Sequence, residues 1–395
     1  LSICQALFNS GRGLMFLAAT LVGANMLGEN LIFVTAPITI MLVGTASGTL
    51  PAAHLMRLFG RKVGFVIGSV IGAGGCWICY TSLPDNNFLL FNVGMFFYGI
   101  YSGFSQQYRF AVADAAPDNF KAKAISLVLA ASVVGAVVGP ETAKVTRNLF
   151  VDVEFAGSML ALIGLCLATG LIVTFIDIPK LSREEYADKG RPLLDIVAQP
   201  TFIVAFIAAA IGYVAMNILM TATPLSMRLG SNFNFNDTAL VIEWHIIGMF
   251  APGFFTGHLI TRFGHIKVIF AGGLLLLLAV ATALNGITLT HFWVAMFLVG
   301  AGWNFTFTGG TALLTGVYTP SERNKVQGIY DFTVFSFMAL SSLSSGAIFH
   351  FLGWKWVNLS ALPMVAILLT ATIWLAWIRR AAPQTAPVGG IEPLD

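Results

Sequence analysis

Several ionisable side chains sit inside stretches that are mostly apolar, among them Arg12, Arg109, Glu141, Glu243, His245 and Asp331. Such stretches run for about 20 residues, enough to cross a bilayer. A charge at the centre of a bilayer costs about 2.5–3.5 kcal/mol on insertion scales, so each must face a partner, a cavity or a solute. Arg12 lies roughly 15 Å into the first stretch at 1.5 Å per residue. It reads either as a cationic anchor for an anionic substrate group or as half of a structural ion pair. Arg109 continues a helical face with Tyr98, Tyr101 and Ser105; it reads as a substrate contact or as a side chain snorkelling to the surface. Asp331 lies roughly two turns into its stretch. It suits proton coupling, against the competing reading of a salt bridge to Arg57 or Arg109. Glu141, Glu243 and His245 fall at one depth, where two carboxylates and an imidazole can share a proton. The plainer reading is that Glu243 sits at the water interface and caps its helix after Asn236 and Asp237.

Twelve apolar stretches carry these residues: 3–27, 31–57, 63–83, 87–111, 122–146 and 154–176, then 199–222, 237–261, 267–287, 291–317, 323–350 and 355–378. Of 395 residues 57% are hydrophobic and 10% charged, with mean hydropathy +0.83. Soluble domains carry about 25% charged residues, so this chain has no means of building a water-facing surface. Forty Gly and 33 Phe suit close helix approach and lipid contact. No basic patch on a soluble domain is present, which argues against nucleic acid as a partner. The chain reads as an all-α integral membrane protein of two six-helix bundles, 1–176 and 199–380. A polar linker, 177–198, joins them, and a Pro/Gly-rich tail, 381–395, reads as disordered.

With the N-terminus inside, Arg57, Arg61, Lys62, Lys121, Lys123, Lys180, Arg183, Lys189, Arg191, Arg262, Lys267, Arg323, Lys325, Arg379 and Arg380 are cytoplasmic. Only Lys144, Arg147, Arg228 and Lys355 fall outside, so the positive-inside rule places both chain ends in the cytoplasm, in the cell (inner) membrane. The small-residue pairs Gly44/Gly48, Gly68/Gly72, Gly99/Gly103, Gly135/Gly139 and Gly253/Gly257 favour tight packing. Cys76 and Cys79 have redox-motif spacing but lie in a membrane-length run, where packed thiols are the simpler reading.

The string AHLMRLFGRK, Ala53 to Lys62, returns as GHLITRFGHIK, Gly257 to Lys267, at an offset of 204 residues. A repeat at half the chain length points to one six-helix unit used twice, with a substrate between the copies. Leu55, Gly60, Arg61 and Lys62, and again Gly257, Leu259, Arg262 and Gly264, resemble the G-x-L-x-D-R-x-G-R-R/K link of the major facilitator superfamily. Arg57 and Thr261 stand where that family has Asp. Gly135-Ala-Val-Val-Gly139-Pro140 is similar to part of the family's antiporter motif. His245 to Gly257 and Tyr330 to Gly346 are similar to a bacterial branch, some carriers of which are linked to riboflavin uptake.

The resemblance implies twelve helices, of which 1, 4, 7 and 10 line a cavity. On those helices lie Asn9, Arg12, Gln106, Arg109, Tyr213, Asn217, Trp303, Asn304 and Phe307, a cation among amides and aromatics suited to a planar organic solute with some negative charge. It sets helix 5 against helix 8, making Glu141, Glu243 and His245 an outer gate. It makes Arg57, Gly60, Arg61, Asp114, Arg262 and Gly264 an inner latch. Asp114 would pair with Arg61, and Glu322 or Asp331 would offset Arg57. The implied protein is a monomeric secondary active transporter of a small organic solute, working by alternating access and coupled to protons or another ion; the runner-up is a facilitative uptake carrier for a vitamin-like metabolite such as riboflavin. No cofactor or metal is expected. A membrane-embedded enzyme, a channel and a receptor are the alternatives; no nucleotide loop, zinc motif or nucleophile motif speaks for them.

Overall fold

The computed structural model describes residues 1–27, 33–117, 120–178, 190–319 and 321–381. Helix α1 spans Ser2–Leu27, α2 Ala36–Phe59, α3 Arg61–Ser82, α4 Phe88–Ser105, α5 Tyr108–Asp114, α6 Lys121–Ala130, α7 Ser132–Thr146 and α8 Ala156–Thr174. After a short α9, Leu193–Val197, come α10 Pro200–Leu225, α11 Phe235–Phe250, α12 Gly253–Phe263, α13 His265–Leu284, α14 Leu289–Leu314 and α15 Arg323–Ala381. Most of the linker, with Lys180, Arg183 and Lys189, and the tail from residue 382 lie outside the described residues.

Ten described helical runs are long and apolar enough to cross a membrane. One, Lys325–Arg380, is double length; Gly353, at φ 79°, divides it into two crossings. Helix α14, 26 residues with no Asp, Glu, Lys or Arg, supplies a further one, which makes twelve. The chain is a multi-pass membrane protein. Helix starts follow local chemistry: the Asn87 and Asn234 side chains accept the N–H groups of Leu90 and Asp237. The cap of α11 is therefore Asn234, and Glu243 has no part in it.

Three expected spans are interrupted, at Gln106–Gln107 between α4 and α5, at Ala131 between α6 and α7, and at Ala251–Pro252 between α11 and α12. Pro252 has no N–H to give the Gly248 carbonyl, which breaks the ladder here, and the Asn304 side chain donates to the adjacent Met249 carbonyl at 2.6 Å. At Ala131 the following hydroxyl, Ser132, is held from α1 by Asn9 at 2.9 Å and Gln5 at 3.4 Å.

The two copies of the repeat have the same backbone. Gly60 joins α2 to α3 at φ 89°, ψ 157°, and Gly264 joins α12 to α13 at φ 83°, ψ 158°. That positive φ favours glycine, and the cation-bearing turn is one structure used twice.

Helices α1–α8 pack among themselves, as do α10–α15; α2 meets α15, and α6 and α7 meet α12 and α11, across the seam between the groups. Lipid offers no hydrophobic drive, so contact depends on close backbone approach. Each expected small-residue pair takes part. A Cβ on Gly99 would fall 2.0 Å from the Met41 carbonyl oxygen, and one on Gly44 2.2 Å from that of Phe96. Gly135 and Gly139 abut α1 at Asn9 and Ser10, and Gly68 and Gly72 meet Phe104 and Tyr101. The four cysteines are free and buried. Gly99→Val meets main chain that no rotamer change relieves, and should cost about 1–3 kcal/mol or more. Gly164→Ala, with nothing within 4 Å, should leave the melting temperature in detergent unchanged; equal losses in both would contradict this packing.

Candidate functional site

Among the interactions across the seam, the most deeply buried ion pair joins Arg109 on α5 to Asp331 on α15. Both side chains are 1% exposed, and the guanidinium donates to the carboxylate. Gln106 accepts a second Arg109 N–H at 2.9 Å. The guanidinium lies over the rings of Phe110, at 4.6 Å, and Phe307, at 4.8 Å. Arg109 therefore neither snorkels nor lines an open cavity. Arg109 Nε and Asp331 Oδ2 have no partner among the described residues, so the pair retains unused hydrogen-bonding capacity.

Phe307 continues the column: Trp303 stacks on it at 5.0 Å and 16°, with Tyr213 edge-on to both at 4.8 and 5.1 Å. Phe250 meets Trp303 at 5.6 Å and lines a central cavity of about 30 Å³. That space holds a water or two, not an organic solute. Asn9, Arg12, Phe16, Met216, Met220 and Met338 also line it. Arg12 is half-buried and lies 5.6 Å from the Phe16 ring centroid. The Tyr213 phenol feels both Arg12 and Arg109. A second cavity shares Phe16 and Met220 and runs toward Arg228 and Thr238, away from the latch end.

At the cationic end, Arg61 pairs with Asp114, and Arg323 of α15 reaches the same carboxylate at 3.4 Å. The latch is a carboxylate held between cations from the two groups. Glu322 and Asp331 do not offset Arg57, as the sequence suggested. Asp331 is taken by Arg109, and Glu322 by Arg191 of the linker at 2.7 Å. At the 204-residue offset Arg61 corresponds to His265, and Arg262 lies over Phe263 at 5.3 Å; among the described residues neither makes a salt bridge like that of Arg61 with Asp114. The Ser126 hydroxyl of α6 donates to the Gly253 carbonyl and accepts the Gly257 N–H at 3.2 Å. A hydroxyl from one group thus enters the helical ladder of the other. Sequence reasoning did not name Ser126, and it placed Arg323 among the cytoplasmic cations without assigning it to the latch; the Gly253/Gly257 spacing marks a close approach without naming its partner.

Several expected site residues have other positions. Asn217 donates to the Met338 carbonyl at 3.2 Å and to Ser341 at 3.0 Å, tying α10 to α15. Asn304 spends both ends of its amide on Met249 and Thr256. Residues on a helix named as cavity-lining face all directions around it, and these two face neighbouring helices. His245 is fully buried with Nδ1 donating to the Met296 carbonyl at 2.7 Å. Two residues along a helix point to opposite sides, so it is turned away from Glu243. Glu141 pairs with Lys144 at 2.6 Å, and Glu243 lies within electrostatic range of both. The two carboxylates lie within electrostatic range of each other; the imidazole does not join them.

Comparison with known proteins gives the class. The model of the Major Facilitator Superfamily matches residues 1–251 and 205–393. The chain is 39% identical over 375 residues to the riboflavin transporter RfnT of Brucella anthropi, covering 94% of each. It is 27% identical to the uncharacterised transporter YdeG of Bacillus subtilis, over 88% of this chain and 83% of that one. Among solved structures, the human organic anion transporter MFSD10 superposes with TM-score 0.70 at 13% identity, over 94% of this chain and 97% of that one. An outward-facing bacterial homologue of ferroportin superposes with TM-score 0.68 at 14% identity, over 95% and 98%. The chain belongs to the major facilitator superfamily and is a membrane transporter.

Removing one partner of a buried pair strands the other charge at a cost of about 3–5 kcal/mol. Asp331→Asn should therefore lower thermal stability sharply, and adding Arg109→Gln should recover most of the loss; additive losses in the double variant would refute the coupling. Arg191, aided by backbone N–H groups of Thr319 and Arg191, holds the Glu322 carboxyl well below the usual carboxylate range. A depressed carboxyl keeps its contribution above its ordinary pKa and loses it only as pH falls through the lowered value. Hydrogen exchange of residues 190–199 should therefore stay slow from neutral pH to about pH 4 and quicken in Glu322→Gln.

Proposed function

We propose that the protein is a secondary active carrier of riboflavin, working by alternating access in the inner membrane with the cationic latch end in the cytoplasm. The observation that carries this reading is the 39% identity to RfnT over 94% of both chains. The lining of the central cavity supports it, although the space must widen as the helix groups part before a ring can enter: polarisable methionines and Phe250 suit a planar aromatic ring, and Arg12 suits its polar edge. The seals at the latch end and the cavities toward the other end describe a carrier closed on one side. Transport, not catalysis, is the activity we ascribe to it, by a monomer. We assign proton coupling to Asp331, because protonation would release Arg109 and open the seam. Glu141 and Glu243, exposed or half-exposed at the far end, are assigned an entry role.

Liposomes containing the purified protein and preloaded with riboflavin should show saturable counterflow of labelled riboflavin without any ion gradient. A proton gradient should drive accumulation beyond equilibration. Absence of counterflow would overturn the substrate reading; counterflow with no effect of the gradient would overturn the coupling and leave a facilitative carrier.

A further inference from the structure

The central cavity has one polar corner, and its chemistry is specific. Asn9 and Arg12 lie three residues apart on α1, hence on one face, and both line the cavity. The Asn9 amide nitrogen donates to the Gln5 carbonyl at 3.1 Å and to Ser132 at 2.9 Å. A carbonyl only accepts, so the nitrogen must be on that side and the amide oxygen on the other. No hydrogen bond among the described residues uses the Asn9 oxygen. Arg12 has no carboxylate within salt-bridge distance among the described residues. Its near neighbours are the Phe16 ring and the Tyr213 phenol, whose oxygen is placed to accept one of its N–H groups and leaves the rest of the fork open. The corner thus offers one open acceptor beside a fork of cationic donors, within walls of Met216, Met220, Met249 and Met338.

A guanidinium that far into a bilayer is costly unless something accepts its N–H groups. The complementary group must present acceptors to Arg12 and a donor to Asn9. A cyclic imide edge, C=O beside N–H beside C=O, does both on one side of a planar ring. A carboxylate or phosphate would satisfy Arg12 but would set a lone pair against the Asn9 oxygen. We propose that Asn9 and Arg12 form the recognition corner for an imide edge, Asn9 accepting the imide N–H and Arg12 donating to a flanking carbonyl. The methionines take the ring faces.

This deepens the carrier reading above and rests on it, because the riboflavin ring ends in such an edge, with N3–H between two carbonyls. It assigns orientation: the imide points at α1, and the ribityl chain points away from it. It also assigns selectivity, since a site built around hydrogen bonds rejects a ligand that leaves its buried groups unpaired far more strongly than one that merely loses apolar area.

The test uses the purified full-length protein and the quenching of flavin fluorescence on binding. Two probes are compared, riboflavin and N3-methylriboflavin. Methylation should weaken binding to the wild type by about 10–100-fold, the range expected when a buried acceptor loses its donor. Arg12→Gln should weaken riboflavin by a similar factor. In Asn9→Ala the penalty for methylation should shrink to about threefold or less, because the acceptor it offends is gone. If Asn9→Ala does not fold, the wild-type comparison and Arg12→Gln still decide. Equal binding of the two flavins to the wild type would overturn the imide corner while leaving the carrier reading intact. A methylation penalty that persists undiminished in folded Asn9→Ala would also overturn it. Failure of wild-type protein to bind either flavin would overturn the carrier reading itself, and the corner with it.

Discussion

The structure depends on a buried charge pair that neither helix group can satisfy alone. Arg109 belongs to the first group and Asp331 to the second, each 1% exposed. Separating the groups strands two charges in low dielectric unless water or a proton reaches them. Closing them recovers the pair and sets the guanidinium on Phe307. A contact that is costly to break dry and cheap to break wet gives the seam two discrete arrangements, which alternating access requires.

Around that pair the seam is graded. Nearer the latch end, Asp114 accepts cations from both groups, and Arg191 ties the linker to Glu322. Ser126 inserts into the ladder of α12 beside an interruption that Pro252 has already made. Where α15 faces α2, a Cβ on Gly328 would lie 3.4 Å from Leu50 and 3.5 Å from Ala53, ordinary packing contact. Toward the other end the cavities lie between Arg12 and Arg228. The aromatic column from Phe307 through Trp303 to Phe250 joins the charge pair to the cavity wall.

Much of this was legible in sequence. Span positions follow from length and apolarity, and the repeat from Gly60 and Gly264, whose matching positive φ values show why the spacing recurs. Arg61 with Asp114 came from the family resemblance, which implies that an acid at this place pairs with the arginine of the link, and the pair is present. What was illegible is azimuth. Asn217, Asn304 and His245 lie on helices facing the cavity or the seam, yet they point at neighbouring helices. The uniformly apolar sequence of a membrane helix leaves no hydrophobic face to orient it. Partner choice was illegible for the same reason: Glu322 took Arg191 because Gly190 and Arg191 lie against it, which no pattern in the sequence signals.

We propose that the latch end opens when the Arg109–Asp331 pair is released. Spin labels at Leu58 and Phe263, exposed positions at the ends of α2 and α12, report that opening by pulsed electron resonance. The account predicts one short distance in the wild type without substrate, a second, longer one on adding riboflavin, and the longer one already populated in Asp331→Asn. A single distribution unchanged by substrate and by the substitution would contradict it.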